Sequence, residues 1–179
     1  MPIRSLLWLS LIFIVPNGKH AVGAEDSSFK HPSPIDLQLL ADDRQAVVVN
    51  QTSGSVALVD LPSAQILDQR PLGERPVAIA LEPGGNRALV TTSHGGELVR
   101  LAIQSNRLVE LSRLRLGGEP HGVVVAPNGQ TAYVGLAAAD TVAVVDLSTF
   151  AETGRIPVGR WPRFLAITPD GSRLAVGLS

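Results

Sequence analysis

The sequence predicts an all-β fold, a β-propeller of four-stranded antiparallel blades of which about three and a half are present. Prolines recur at spacings of 42, 44 and 42 residues, at Pro34, Pro76, Pro120 and Pro162. A turn follows seven residues after each proline, and a glycine precedes each of the last three by three residues, at Gly73, Gly117 and Gly159. A period of about 40–45 residues with four strand-like runs in each unit is typical of propeller blades.

The strand-like runs are clearest in the third unit. They are His121–Ala126, Thr131–Leu136, Thr141–Leu147 and Glu152–Val158. The turn Pro127-Asn128-Gly129 separates the first two runs, and asparagine and glycine tolerate the positive φ that such turns need. The three valines at 123–125 favour a strand that is buried on both faces. Each unit is therefore expected to form one blade.

The repeat divides the chain into blades at 34–73, 76–117, 120–159 and 162–179, the last with only two strands. Together they make a partial propeller over 34–179. Closure removes exposed sheet edges in propellers, so the sequence predicts the N-terminal fragment of a longer ring. Apolar side chains at the two ends of the arc are then expected to contact water, and they include Val47, Val49, Leu174 and Val176.

The N-terminal region predicts export. A basic start at Arg4, an apolar run from Leu6 to Val15 and the small residues Val22-Gly23-Ala24 are typical of a signal peptide over 1–24. The apolar run is shorter than the roughly 20 residues that a membrane-spanning helix needs, so an uncleaved anchor is the weaker interpretation. Residues 25–33 form a polar lead-in, and the expected location is the periplasm or the extracellular space.

Composition and motifs argue against several functions. A formal net charge of −1 gives no electrostatic case for binding nucleic acid. The sequence has no cysteine, which excludes from this segment a c-type haem attachment site, a thiolate zinc site and a lipoprotein cysteine. It also contains no HExxH, nucleophile elbow, Walker A loop or Rossmann glycine pattern. We therefore expect no cofactor in this segment and favour a protein that is not an enzyme.

The units carry a further pattern. The third reads Gly117-Gly118-Glu119-Pro120, then Pro127-Asn128-Gly129, Ala132-Tyr133-Val134-Gly135 and Thr141–Asp146. This order resembles the YVTN family of β-propeller repeats, whose units run Gly-x-x-Pro, Pro-Asp-Gly, Tyr-Val-Thr-Asn and Gly-Thr-Val-x-Val-Ile-Asp. The second unit departs most, because Ala102 stands where the others have Asp60 and Asp146. The resemblance covers 34–179 and implies an extracytoplasmic propeller, either a stand-alone binding protein or part of a redox protein.

One face of the predicted propeller carries the candidate ligand-binding residues. It holds the connections from each outer strand to the next inner strand and those between second and third strands, and loops on a rigid scaffold commonly bind ligands. The candidates are His121, His94, Arg75, Arg160, Trp161 and Arg163. His121 begins an innermost strand and is expected at the central channel, as are Val77 and Arg163 at the same position of neighbouring blades.

Each candidate also has a structural interpretation. Imidazole could hold a metal or haem, but no third ligand accompanies the two histidines, and no metal site is predicted. The arginines could bind an anion with their guanidinium groups or could be solvated charges and inter-blade salt bridges. Trp161 could stack on a ligand or pack between blades. Asp60 and Asp146 are expected to accept backbone hydrogen bonds in the turns after the third strands rather than to be catalytic.

Three functions compete. The first is a non-catalytic binding or scaffold module whose loop face takes an unknown protein, glycan or small ligand. The second, implied by the resemblance, is the propeller portion of a periplasmic redox protein with a c-type haem, di-haem peroxidase-like domain beyond residue 179, so that a c-type cytochrome domain is the partner. The third is a metal-dependent propeller hydrolase such as a lactonase, which ranks last because His121 alone among the inner-strand starts suits a metal. Nucleic acid is not expected as a partner, nor is a transmembrane segment after signal cleavage.

Overall fold

A computed structural model describes residues 33–179, so the predicted signal peptide and nearly all of the lead-in lie outside the described residues. These residues form three four-stranded antiparallel sheets and one two-stranded sheet. Within 33–179 the sole helical element is a short 3-10 helix at Ala137–Ala139. In that same range, no helix has the length and apolar character needed to span a membrane.

The strands are consecutive along the chain within every sheet. Blade 1 contains β1 (Pro34–Leu39), β2 (Gln45–Asn50), β3 (Ser55–Asp60) and β4 (Gln65–Pro71). Blade 2 contains β5 (Pro76–Leu81), β6 (Arg87–Thr92), β7 (Glu97–Gln104) and β8 (Arg107–Arg115). Blade 3 contains β9 (Pro120–Val125), β10 (Thr131–Leu136), β11 (Thr141–Asp146) and β12 (Ala151–Pro157). The two-stranded sheet, blade 4, contains β13 (Pro162–Ile167) and β14 (Leu174–Leu178).

This arrangement confirms the predicted β-propeller fold. The first strand of each blade is innermost, and β1 packs on β5, β5 on β9 and β9 on β13. The sheets of the described residues form an open arc. In blade 3 every strand begins and ends within one residue of its predicted bounds, because the proline, the turn residues and the terminal aspartate mark the strand ends in the sequence itself.

The apolar core lies between successive blades. Val47 and Val49 of β2 pack with Ile79 and Val90 of blade 2 and are 0% exposed. The expectation that these two valines contact water was therefore wrong: their side chains point toward blade 2, which covers them. Leu174 and Val176 are half-buried. The most exposed large apolar side chain in 33–179 is instead Phe164 of β13, at 70%.

Two aspartates hold the turns that follow the third strands. Asp146 accepts hydrogen bonds from the backbone N–H groups of Ser148 (2.8 Å) and Thr149 (2.9 Å). Asp60 accepts one from the N–H of Ser63, so the turn-capping role predicted for both aspartates is confirmed. The hydroxyl of Ser148 and the backbone of Thr149 lower the pKa of Asp146 to about 2. The carboxylates thus stabilise the turns in their ionised form.

Candidate functional site

Every inner strand has an irregularity at its second residue. In β1, β5 and β13 the pairing register skips Ile35, Val77 and Arg163, and in β9 it skips His121 together with Gly122. An extra unpaired residue of this kind, a β-bulge, redirects the local side chain and is frequent beside functional sites. One backbone device therefore presents four different side chains at the same level of the arc.

The connections that enter the inner strands hold a second backbone feature. Arg75, Glu119 and Trp161 each precede the proline that starts an inner strand, and their φ angles are 57°, 53° and 58°. Non-glycine residues rarely adopt positive φ, at a cost of about 1–3 kcal/mol each, so the surroundings must enforce it. Such residues cluster at binding and catalytic sites.

Hydrogen bonds to the neighbouring connections enforce these conformations. The carbonyl of Arg75 accepts from the N–H of Ser93 at 2.9 Å, and that of Glu119 accepts from the N–H of Ala137 at 3.0 Å. The N–H of Trp161 donates to Oδ1 of Asp140 at 3.0 Å. The two sets of connections therefore meet on one face of the propeller, called here the loop face.

A concave cavity of about 850 Å³ opens beside these bulges. It is bounded by all four inner strands, so it is the part of the central channel that the described blades enclose. Apolar residues of the inner strands, among them Ile79, Val123 and Leu165, form part of its wall. Its polar lining residues are Asp36, Gln38, Gln51, Arg75, His121 and Arg163.

Two arginines give the cavity a cationic character. Arg75 donates from Nη1 to Nε2 of His94 at 2.9 Å, a direction fixed by the absence of an acceptor on guanidinium. Arg163 lies over the indole of Trp161, with Cζ 4.8 Å from the ring centroid, a cation–π contact. Its Nε is buried and has no hydrogen-bond partner among the described residues. Both guanidinium groups are thus held by a flanking aromatic or imidazole ring.

His121 lies among these charges and is half-buried. Burial lowers the pKa of His121 below 6.5, the charges of Arg163 and Arg75 lower it further, and the carboxylate of Glu119 opposes them. The neutral imidazole is therefore favoured at neutral pH, with one ring nitrogen free to accept a proton.

The structure thus brings three of the predicted site residues into the cavity: Arg75, His121 and Arg163. His94 and Trp161 are exposed and contact the cavity arginines rather than the cavity itself. Arg160 is exposed and does not line the cavity. In 33–179, no three side chains of histidine, aspartate or glutamate are grouped so as to hold a metal ion.

Sequence reasoning missed Asp36 and Gln38, which line the cavity from β1. The oxygens of Asp36 accept hydrogen bonds from the N–H groups of Leu37 and Ile79, both at 2.9 Å, so this carboxylate links the inner strands of blades 1 and 2. A signal was available, since Asp36 stands where the later repeats have Ala78, Gly122 and Phe164. A lone charge in an otherwise apolar inner strand marks a position with a specific partner.

Comparison with known proteins supports the fold. The sequence matches no protein-family model and no curated protein. The chain aligns with Kuenenia stuttgartiensis hydrazine synthase at a TM-score of 0.77 and 24% identity, over 90% of this chain and 46% of that one. It aligns with a candidate 6-phosphogluconolactonase from Bacteroides fragilis at a TM-score of 0.73 and 15% identity, over 87% of this chain and 50% of that one. It also aligns with the β-propeller domain of Myceliophteria thermophila Cps50 (Swd1) at a TM-score of 0.71 and 10% identity, over 81% of this chain and 50% of that one.

These likenesses define the class of the protein, a β-propeller. The chain spans about half the length of the structures it matches. Identities of 24% and below show the fold and leave activity and ligand to be argued from the site.

Proposed function

We propose that this chain is an exported propeller of the YVTN type that acts as a non-catalytic binding module, with its ligand at the mouth of the central cavity on the loop face. One observation carries the proposal. The bulges of the inner strands and the positive-φ connections before them place His121, Arg163 and Arg75 around one concave opening. A largely apolar cavity with a few convergent polar groups is the usual form of a small-ligand site.

The export and family parts of the proposal have separate support. The basic start, apolar run and small residues of 1–24 support secretion. The Gly-x-x-Pro and turn motifs support YVTN membership, since they coincide with observed structure: the proline begins each inner strand, and the turn joins it to the second strand. N-terminal sequencing of the secreted protein should begin at Glu25, and an intact Met1 on cytoplasmic material would contradict export.

Ligand screening by thermal unfolding tests the binding role. A compound that binds the folded state raises the midpoint of unfolding, so the full gene product should be stabilised by some members of a panel of oligosaccharides, peptides and organic acids. The stabilisation should be lost in Arg75→Gln, whose side chain is exposed and lines the cavity. The matched control is Arg173→Gln, on an exposed position of the opposite face. A loop-face site would be refuted if the ligand-induced stabilisation were lost in Arg173→Gln and retained in Arg75→Gln.

A second candidate, implied by the resemblance to YVTN repeats, is the propeller portion of a periplasmic redox protein; a hydrazine synthase is among the structures that share the fold. That candidate implies a c-type haem domain elsewhere in the full gene product. Haem staining of the complete gene product after denaturing electrophoresis would support this candidate, because c-type haem stays covalently attached. A product without covalent haem would leave the binding module as the better proposal.

A further inference from the structure

The charges around the cavity are unbalanced. Arg75 and Arg163 supply two permanent positive charges to its lining, and Asp36 is the sole carboxylate there. Both oxygens of Asp36 already accept backbone hydrogen bonds. Within 33–179, neither arginine has a carboxylate within salt-bridge distance. The mouth therefore holds two arginines that are not ion-paired, and the nearby carboxylates are those of Asp36 in the lining and Glu119 facing His121.

Arg163 provides the sharpest feature of this surface. Its Nε is buried without a hydrogen-bond partner in the described residues, so a ligand in the cavity would meet the terminal Nη1 and Nη2 donors of this lining residue. The indole of Trp161 covers one face of the guanidinium, and the bulge in β13 directs the side chain to the cavity. The geometry holds a planar donor in place, and the group that suits such a donor is an oxyanion.

We propose that Arg163, Arg75 and His121, called here the mouth cluster, bind an oxyanion, a carboxylate or a phosphate group, on a small ligand whose remaining part enters the apolar cavity. This inference rests on the proposed function and assigns the chemical class of its ligand. Arg163 makes the charge-assisted hydrogen bonds, Arg75 approaches from blade 2 with its guanidinium oriented by His94, and His121 lies on β9 between them.

The charges that face His121 link binding to pH. Arg163 on β13 and Arg75 before β5 disfavour its protonation, and Glu119 before β9 favours it. A bound oxyanion adds negative charge, so it favours the imidazolium, which then donates a further hydrogen bond to the ligand. Binding should accordingly take up a proton, and affinity should rise as the pH falls through the titration range of this histidine.

Titration calorimetry of the full gene product tests the assignment with three probes: inorganic phosphate, citrate and the neutral sugar maltotriose. Because phosphate and citrate also change charge between about pH 6 and about pH 8, the contribution of His121 is measured against His121→Gln: the ratio of anion affinity at the lower pH to that at the higher pH should be larger in the unmodified protein. Arg163→Gln should weaken anion binding by roughly tenfold or more, because it removes charge-assisted hydrogen bonds. The charge-matched control Arg107→Gln alters an exposed residue of the outer strand β8 and should leave binding unchanged. Preference for one anion then separates phosphate from carboxylate as the natural group.

Two further measurements keep the test decisive. Arg75→Gln changes an exposed side chain, so this variant should fold even if Arg163→Gln does not. Because it removes one cation of the mouth cluster, it should weaken anion binding. The imidazole proton signal of His121, followed by NMR, should titrate at a higher pH when the binding anion is present. A structural role for His121 alone would leave that titration unchanged.

The outcomes separate this inference from the proposed function. Equal anion affinities in Arg163→Gln and Arg107→Gln would overturn the oxyanion assignment, as would failure of both anions to bind. If maltotriose then binds and shifts the NMR signals of Val77 and His121, the cavity is a binding site for neutral ligands and the proposed function stands. If all three probes fail, the oxyanion assignment falls, and the panel of the thermal screen decides the proposed function by itself.

Discussion

Replacing Glu82 with glutamine tests a buried ion pair of blade 2 whose arginine also bonds to blade 3. Arg100 of β7 donates from Nε and Nη2 to the two oxygens of Glu82, both at 2.6 Å, and from Nη1 to the carbonyl of Leu147 in blade 3 at 2.8 Å. Its guanidinium also lies 5.7 Å from the ring centroid of Phe150. The side chains of Arg100 and Glu82 are 12% and 8% exposed, so this is a buried pair within blade 2, and it orients the guanidinium that donates to blade 3.

The expected loss follows from that burial. Removing one partner of a buried ion pair costs about 3–5 kcal/mol, because the other charge stays buried without compensation. Glutamine keeps one neutral acceptor, which places Glu82→Gln near the lower end, at about 3 kcal/mol. In a protein of this size the corresponding fall in Tm is about 6–12 °C. Glu152→Gln is the matched control, because Arg155 and Glu152 are 39% and 25% exposed, and an exposed pair contributes about 1 kcal/mol or less.

Urea unfolding followed by circular dichroism measures both changes on the full gene product. The double variant Glu82→Gln with Arg100→Met completes a thermodynamic cycle, and it should be less destabilised than the sum of the single variants, because it leaves no buried charge. If Glu82→Gln costs no more than Glu152→Gln, or if the cycle shows additive effects, the two side chains are not coupled as a buried ion pair and the burial argument is refuted.

Three further predictions concern the backbone and the titrating groups. Gly122→Ala should destabilise the protein, because its Cβ would lie 2.6 Å from the carbonyl oxygen of Arg163, whereas Gly154→Ala, with nothing within 4 Å, should be neutral in the same urea assay. Asp146→Ala should lower stability at neutral pH and flatten its decline in acid: the folded pKa of about 2 lies below 3.8, so this contribution is present above 3.8 and is lost as the pH falls toward 2. The folded pKa of His121 is also lowered, so the unfolded chain takes up that proton first and stability falls as the pH drops below 6.5. His121→Gln should reduce the slope of stability against pH in this range. An unchanged slope would contradict the assignment of this pH dependence to His121.

The fold was predictable because its determinants are local and repeated. The proline that begins each inner strand and the turn seven residues later punctuate the chain at nearly constant intervals, and they coincide with observed strand ends in every described blade. The side-chain environment was less predictable. Val47 and Val49 are apolar at alternate positions of β2, but only the packing of the next blade determines whether that face meets water.

The site was predictable in its residue types and not in its arrangement. His121 and Arg163 are the second residues of inner strands, and this position predicted that they lie near the channel. The structure adds the bulge that directs their side chains. The contact of Arg75 with His94 and that of Arg163 with Trp161 join residues from different strands or connections, and no spacing in the sequence encodes them. The positive φ of Arg75 was also hidden, since the residue before a proline normally favours extended backbone.

The repeat explains why corresponding positions of the four blades present different side chains to the cavity. Its four units share the bulge, so the backbone presents the second residue of every inner strand in the same way. Those residues are apolar in blades 1 and 2, with Ile35 and Val77, and polar in blades 3 and 4, with His121 and Arg163. At these positions the cavity is therefore apolar beside blades 1 and 2 and polar beside blades 3 and 4, while Arg75, Asp36 and Gln38 add polar groups on the first side. What the units share determines the fold, and the positions at which they differ determine which chemical groups line the cavity.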